Sequence, residues 1–320
     1  MGIKKYFLIS GLALWVMAAC ASDANQVSKP SPAFKPSVVI DKKQDAAVIA
    51  PVKLPFAKVP PGMLVVPGGE FTMGLDHPKA IDDERVEHLV TIKTFFLDRT
   101  EVTNEVYFEC VDAKVCRSPR HLRGSRGNFA TEVKFREPRR PVTSVSQADA
   151  ARYCSWRGKR LPSEAEFERA ARGDDGRIYA WGNQKPDDNL AVFSKKVTAS
   201  VGSKPKGAGP YGHLDLAGNV WEWTQDLYDP YAYTRKTAFK GVPGSCTQIK
   251  RAQNELRKKG MQGFTGTNPI PTQCEYVLRG GAFNYFSWGL RASNRVHHPG
   301  SWRMIMAGFR CAKDLEMEEK

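Results

Sequence analysis

The sequence predicts a single loop-rich α+β domain over residues 61–314, and three observations carry that expectation. Two segments bear complete helix-capping signatures. Short strand-like runs lie on either side of them, bounded by glycines. Glycine and proline together supply 48 of 320 residues (27 Gly, 21 Pro), which favours a loop-rich fold over a helical bundle. Hydrophobic residues at 41% and charged residues at 26% are the balance of a globular chain that can bury a core.

Met63–Val66 is a short apolar strand, and "PGG" after it is a turn. Phe71 and Met73 alternate with polar residues in the next strand, and "VTIKTFFLDRTEVTN" continues in the same manner. Thr103 caps a short helix, "NEVYFECVDA", with Val106, Tyr107, Cys110 and Val111 on one face. In "SVSQADAARYCSWRG" the N-cap is Ser146, Asp149 sits at the third helical position, and Gly158 is the stop. In "LPSEAEFERAARG" Ser163 and Glu166 form a capping box, Gly173 ends the helix, and Phe167, Ala170 and Ala171 make its core stripe. Beyond Tyr179 helix signals fade into short pieces separated by glycines. There is no internal repeat and no dinucleotide or phosphate-loop glycine motif.

The N-terminus reads as a targeting segment. Lys4 and Lys5 precede an uncharged apolar run of 14 residues, "YFLISGLALWVMAA", short of the roughly 20 needed to span a bilayer. The run ends at "VMAACAS", which resembles a bacterial lipobox. Residues 1–19 are then a signal peptide and Cys20 the lipidated first residue; the alternative is ordinary cleavage after "ACA". Because Asp does not follow Cys20, resemblance to enterobacterial lipoproteins favours the outer membrane. Residues 20–60, with six prolines and no sustained apolar period, read as a flexible tether, and 315–320 as a tail.

Export agrees with the other six cysteines, an even number whose spacing fits no zinc motif. Cys110 with Cys116 would close a short loop and Cys246 with Cys274 would anchor an insertion, leaving Cys154 and Cys311. The alternative is buried free thiols. The net charge of +14 would suggest nucleic acid for a cytosolic chain; an exported one meets anionic glycans, lipopolysaccharide or phospholipid headgroups instead. The basic residues cluster at Arg117–Arg140 and in "IKRAQNELRKKG" at 249–260, and the bland reading of both is solvated insertions.

Several motifs in order, "VPGGEFTMG", "DRTEVTN", "RPVTSVSQADAARYCSWRGKRLPSEAEFERAARG", "YAWGN", "DLAGNVWEW", "VLRGGAF" and "GFRCAKD", resemble the formylglycine-generating-enzyme or sulfatase-modifying-factor family over residues 62–314. The resemblance implies a variant of the C-type-lectin fold, with a loop-rich mixed sheet, a few short helices, and long loops held by metal and disulfides. It also implies the Cys154–Cys311 pairing. It implies calcium at "DLAGNVWEW", through Asp215, the carbonyls of Gly218 and Val220, and Glu222; hard oxygen donors on a tight loop suit that ion. The alternative is a turn whose acids cap nearby N–H groups. A second family site starting at Asn189 and Leu190 lacks an evident acid.

The resemblance also decides what is missing. Formylglycine-generating enzymes hold copper with two cysteines after the glycine pair, since Cu(I) needs soft sulfur ligands. No cysteine lies between Cys274 and Cys311, and Ala282 replaces a common serine, so no copper is expected. Another branch of the family binds iron through an N-terminal helical domain, where this chain has only the tether. A further branch acts in periplasmic siderophore maturation without the cysteine pair, so an oxidoreductase using a different site is the alternative reading. The favoured reading is binding. "LRGGAFN…LRASNR…GFR" resembles the ligand surface of retroelement-diversified lectin-fold proteins. Asn284, Tyr285, Trp288, Arg291, Arg295, His297, His298 and Trp302 are the candidate contacts for an envelope protein or an anionic envelope ligand. The structural alternative is that Phe283, Trp288 and Arg291 pack or hydrogen-bond within the fold, and Trp221 and Trp223 are read as core.

Overall fold

A computed structural model describes residues 58–78, 80–119, 133–229, 232–233, 245–258 and 274–315. The expected signal peptide over residues 1–19, Cys20, most of the expected tether, the tail beyond residue 315 and parts of both basic clusters lie outside the described residues. No described helix is long and apolar enough to cross a membrane.

Among the described residues, three small sheets are built, two of them from strands far apart in sequence. β1 (Met63–Val66) and β9 (Ala312–Asp314) both pair antiparallel with β4 (Phe95–Asp98), in the order β1-β4-β9. The two ends of the domain therefore close on one strand. β2 (Gly69–Met73) and β3 (His88–Ile92) form a separate antiparallel pair. The third sheet has the order β7-β6-β5-β8, from β5 (Trp221–Leu227), β6 (Tyr276–Arg279), β7 (Val296–His298) and β8 (Ala307–Gly308); β8 runs parallel to β5, so this sheet is mixed.

The helices begin where local chemistry dictates. α2 (Gln147–Trp156) and α3 (Glu164–Arg172) each carry the reciprocal capping box, with Ser146 and Asp149 in one and Ser163 and Glu166 in the other. Gly173 ends α3 at φ 64°, a conformation that costs glycine least. α1 (Asn104–Asp112) starts after Thr103, but the Thr103 hydroxyl makes no capping bond. Asn104 instead donates from Nδ2 to the carbonyls of Phe135, Glu137 and Arg140, holding the helix start to a distant loop. A fourth helix, α4 (Cys246–Lys258), lies where no helix was expected. Its signal was present in "SCTQ": the Gln248 N–H donates to Ser245 Oγ and Gln248 Oε1 accepts from the Ser245 N–H, a capping box.

α1 and α2 pack on the mixed sheet around Tyr107, Tyr153, Leu278 and Phe309, with Trp221 and Trp223 fully inside as expected. A second core gathers Phe167, Ala170 and Ala171 of α3 with Phe95, Leu97, Leu216 and Leu290. α3 departs from the usual amphipathic helix. Glu164, Glu168, Arg169 and Arg172 are as buried as its apolar stripe.

All six cysteines of the domain are paired: Cys110–Cys116, Cys154–Cys311 and Cys246–Cys274. The free-thiol alternative therefore falls. Cys154–Cys311 spans a sequence separation of 157 and fixes α2 to the residue just before β9, whereas Cys110–Cys116 spans 6. Loop-closure entropy scales with that separation. Replacing Cys154 and Cys311 by serine is expected to cost about 5 kcal/mol, and replacing Cys110 and Cys116 about 2 kcal/mol, measured by denaturant unfolding. Equal losses would show that the loop-length argument fails here.

Candidate functional site

The segment between β6 and β7 was expected to touch a ligand. The structure divides it into an interior half and a surface half. Arg291 and Arg295 are 3% and 1% exposed and are not contact residues. Arg291 donates from Nε to Glu84 Oε2 at 3.1 Å, and its other nitrogens bond the second Glu84 oxygen and the Trp288 carbonyl. Ser293 Oγ and Asn294 Nδ2 donate to the same carboxylate at 2.6 and 2.9 Å. Burial alone would raise the Glu84 carboxyl; the Arg291 guanidinium with Ser293 and Asn294 outweighs it and holds the group below the usual carboxylate range.

Arg295 forms a two-pronged pair with Glu164, at 2.6 and 3.0 Å, and Arg279 bonds both Glu164 and Glu168. Here too burial would raise the Glu164 carboxyl, and the charges of Arg295 and Arg279 lower it instead. "LRASNR" is thus a row of donors for acids brought in by the loop after β2 and by α3. Removing one partner from such a pair leaves a buried charge and costs about 3–5 kcal/mol.

The surface half is aromatic and uncharged. Asn284 is exposed and Tyr285 half-buried, while Trp288 is 41% and Phe286 67% exposed. Tyr285 and Trp288 meet edge to face with centroids 6.3 Å apart, and Tyr285 rests edge to face on buried Trp221 at 5.2 Å. Phe286 was not among the candidates, although it stands in the same aromatic run. The remaining candidates lie on and after β7. His297 bonds Glu275 through Nδ1 at 2.5 Å and stacks on Tyr228 with centroids 3.8 Å apart. His298 stacks on Trp302, itself 43% exposed, at 4.9 Å. Burial and the neighbouring His297 push His298 below its ordinary value. The two adjacent histidines take separate partners.

The predicted calcium loop forms a second feature. Asp215 and Asn219 hold φ of 56° and 60° around Gly218 at 92°. A Cβ on Gly218 would meet the Val192 carbonyl oxygen at 2.6 Å, so only glycine fits. Asp215 Oδ2 accepts from the Gly202 N–H at 2.5 Å. Glu222 is wholly buried, and Arg310 occupies both of its oxygens at 2.7 Å. Arg310 thus shares the carboxylate that was expected to ligate calcium. Glu101, missed in the sequence, joins the cluster. Its Oε1 accepts from Asn219 Nδ2 at 3.0 Å, while Oε2 is buried with no partner.

Three buried carboxyls thus face one guanidinium. Burial raises all three. The charges of Asp215 and Glu222 add to the rise at Glu101, and Arg310 partly offsets it. The negative excess and the orphaned Glu101 oxygen fit a hard, oxygen-seeking cation served by Glu101, Asp215 and nearby carbonyls. Among the described residues no three His, Cys, Asp or Glu side chains converge as a metal cluster, so backbone oxygens would have to complete such a site.

The interlocked small sheets, mixed pairing and loop-borne sites define a lectin-like scaffold whose loops carry the chemistry. A family model described as the sulfatase-modifying factor enzyme 1-like domain matches residues 52–315, and the chain belongs to that family. It is similar to the inactive C-alpha-formylglycine-generating enzyme 2 of Mus musculus, 33% identical over 216 residues, covering 53% of this chain and 70% of that protein. It is also similar to the formylglycine-generating enzyme of Streptomyces coelicolor, 29% identical over 317 residues, covering 80% and 90%. Among solved structures it matches PvdO from Pseudomonas aeruginosa at a TM-score of 0.56 and 25% identity, covering 79% of this chain and 94% of that one.

One buried acid next to the network invites a test. Asp226 accepts the Glu164 N–H through Oδ2 at 2.7 Å, and its Oδ1 has no partner. Burial and the charge of Glu164 raise its carboxyl to about 8. An acid raised on folding adds stability that is fully present below its unfolded value, near 3.9, and is lost as pH rises through the folded value. Asp226→Asn keeps the acceptor and removes the titration. Its melting temperature relative to wild type should therefore rise between pH 5 and 9, and a difference that is constant with pH would refute the assignment.

Proposed function

We propose that the chain is an exported, lipid-anchored binding protein of the outer membrane, built on a sulfatase-modifying-factor domain that lacks copper chemistry. One observation carries this reading. Every cysteine of the domain is committed to a disulfide, and none stands between Cys274 and Cys311. Copper(I) held by the family route needs free thiolates, and this domain has none to offer. The description of the mouse relative as inactive supports the same reading.

The face offered to a partner is Asn284, Tyr285, Phe286 and Trp288. Aromatic rings give large, rigid contact area at small conformational cost, and such residues dominate binding energies at protein interfaces. With Arg291 and Arg295 turned inward, this face has no forked donors for an anion. Its partner is therefore an envelope protein, contacted by ring faces and the amide of Asn284. His298 and Trp302 supply a second stacked pair on a neighbouring loop.

Binding is tested by pull-down from envelope extract followed by titration of the captured protein. Phe286→Ala with Trp288→Ala should weaken affinity about 30-fold or more while leaving the melting temperature within a few degrees. Capture unaffected by the double variant would misplace the face. An oxygen uptake assay with thiol and phenol substrates should read zero, and stoichiometric copper or an aldehyde formed on a sulfatase peptide would overturn the whole reading.

Calcium is the cation proposed for the acidic cluster. Glu101 and Asp215 would hold it, with carbonyl oxygens of Gly218 and Val220, and its charge would offset the buried carboxylates. The wild-type melting temperature should fall on chelation and recover with calcium, and Glu101→Gln should remove most of that difference. A wild-type melt indifferent to chelator and calcium would eliminate the ion.

A further inference from the structure

The positive charge of this chain is concentrated rather than spread. Between β5 and β6, residues 230–274 hold eight basic residues (Arg235, Lys236, Lys240, Lys250, Arg251, Arg257, Lys258, Lys259) and one acid (Glu255). Eight minus one is +7, half of the chain's +14. Elsewhere arginines are spent inside the protein: Arg172, Arg279, Arg295 and Arg310 are fully buried and bond acids.

The described part of this insertion is α4, and it organises the charge. Thr247, Lys250, Arg251, Asn254, Glu255 and Lys258 follow the i, i+3, i+4, i+7, i+8, i+11 spacing that places residues on one helical face. All six are exposed. Ile249, off that face, is buried and seats the helix. Glu255 pairs with Lys258, while no acid among the described residues pairs with Lys250 or Arg251. The Cys246–Cys274 disulfide ties the first residue of α4 to the residue two before β6, so the basic face is carried on a fixed support.

We infer that this face of α4 docks on the phosphate groups of anionic phospholipids in the membrane that holds the chain. The inference rests on the proposed anchor at Cys20. The proposed anchor stands about 40 residues before the domain, and a random coil of that length would have a root-mean-square reach of about 35 Å, close enough to keep the domain at the headgroups. Each Lys or Arg near an anionic leaflet strengthens attraction about fivefold. Tethering turns that weak attraction into an intramolecular contact, so a few unpaired cations suffice.

The test uses the full lipidated chain in vesicles of phosphatidylcholine alone or with phosphatidylglycerol, and reads acetylation rates at individual lysines. In phosphatidylglycerol vesicles Lys250 and Lys258 should react at least about fivefold more slowly, with protection lost at high salt. Exposed Lys196 and Lys206 should react alike in both. Lys250→Glu with Arg251→Glu should abolish the protection remaining at Lys258. Equal rates in the two vesicles overturn the inference, as does equal protection by soluble polyphosphate in phosphatidylcholine vesicles, or protection supplied only by an added acidic protein. A chain that does not enter either vesicle refutes the anchor instead. Its α4 face is then read separately, by flotation with phosphatidylglycerol vesicles, where failure to float counts against α4.

Discussion

The structure depends on acids of α3 meeting arginines from the other side of the domain. Glu164 and Glu168 are wholly buried, and Arg279 of β6 bonds both while Arg295, just before β7, grips Glu164. Arg172 of the same helix returns to Glu168 and reaches Glu87. One helix is thereby fixed to the mixed sheet, to the loop before β3 and to the segment after the platform. Apolar packing alone would accept several registers of α3; a carboxylate with two guanidinium partners accepts only the one that satisfies every charge.

That constraint explains what sequence reasoning reached and what escaped it. Capping boxes at Ser146 and Ser163 are local chemistry, complete within four residues, so α2 and α3 were visible in one dimension. The burial of α3 was not, because Glu and Arg at its surface positions look like solvent contacts until partners 111 to 131 residues away are known. The same blindness assigned Arg295 to a ligand and left Arg291 open between a ligand and a bond within the fold, the second of which holds. Nothing in "LRASNR" announces that Glu84, 207 residues earlier, waits for Arg291. Glu101 was missed for the opposite reason: it follows a strand and resembles loop decoration, yet it is sealed beside Asp215. By contrast "SCTQ" carried a readable helix start, overlooked among the glycines that surround it.

The aromatic platform has little regular structure, which ordinarily means mobility, yet backbone and side-chain bonds hold it along its length. The Gly218 N–H donates to the Gly280 carbonyl, and the Phe283 N–H to the Asn219 carbonyl. Carbonyls of Phe283 and Tyr285 accept from the Lys195 and Ser194 N–H groups. At the far end Arg291 bonds the Trp288 carbonyl and Glu84 together. The interior charge network and the surface aromatics are therefore one construction, in which the first holds the backbone that presents the second.

Such a platform has a thermodynamic consequence. Ordering a loop and its side chains usually subtracts from the free energy of association, and a surface already held in one geometry avoids most of that cost. Here the rigidity comes from charges that contribute nothing at the surface itself. A chain of net charge +14 could have displayed Arg291 and Arg295 as anion ligands, and their burial shows that neighbouring positions serve different ends. On the proposed binding reading, substitution at Asn284, Phe286 or Trp288 would change what is recognised without touching Glu84 or Glu164, whereas substitution at Arg291 or Arg295 removes the guanidinium partner of a buried acid. On that reading, the fold separates surface residues of the platform from the interior residues that hold it, a few positions apart in one segment.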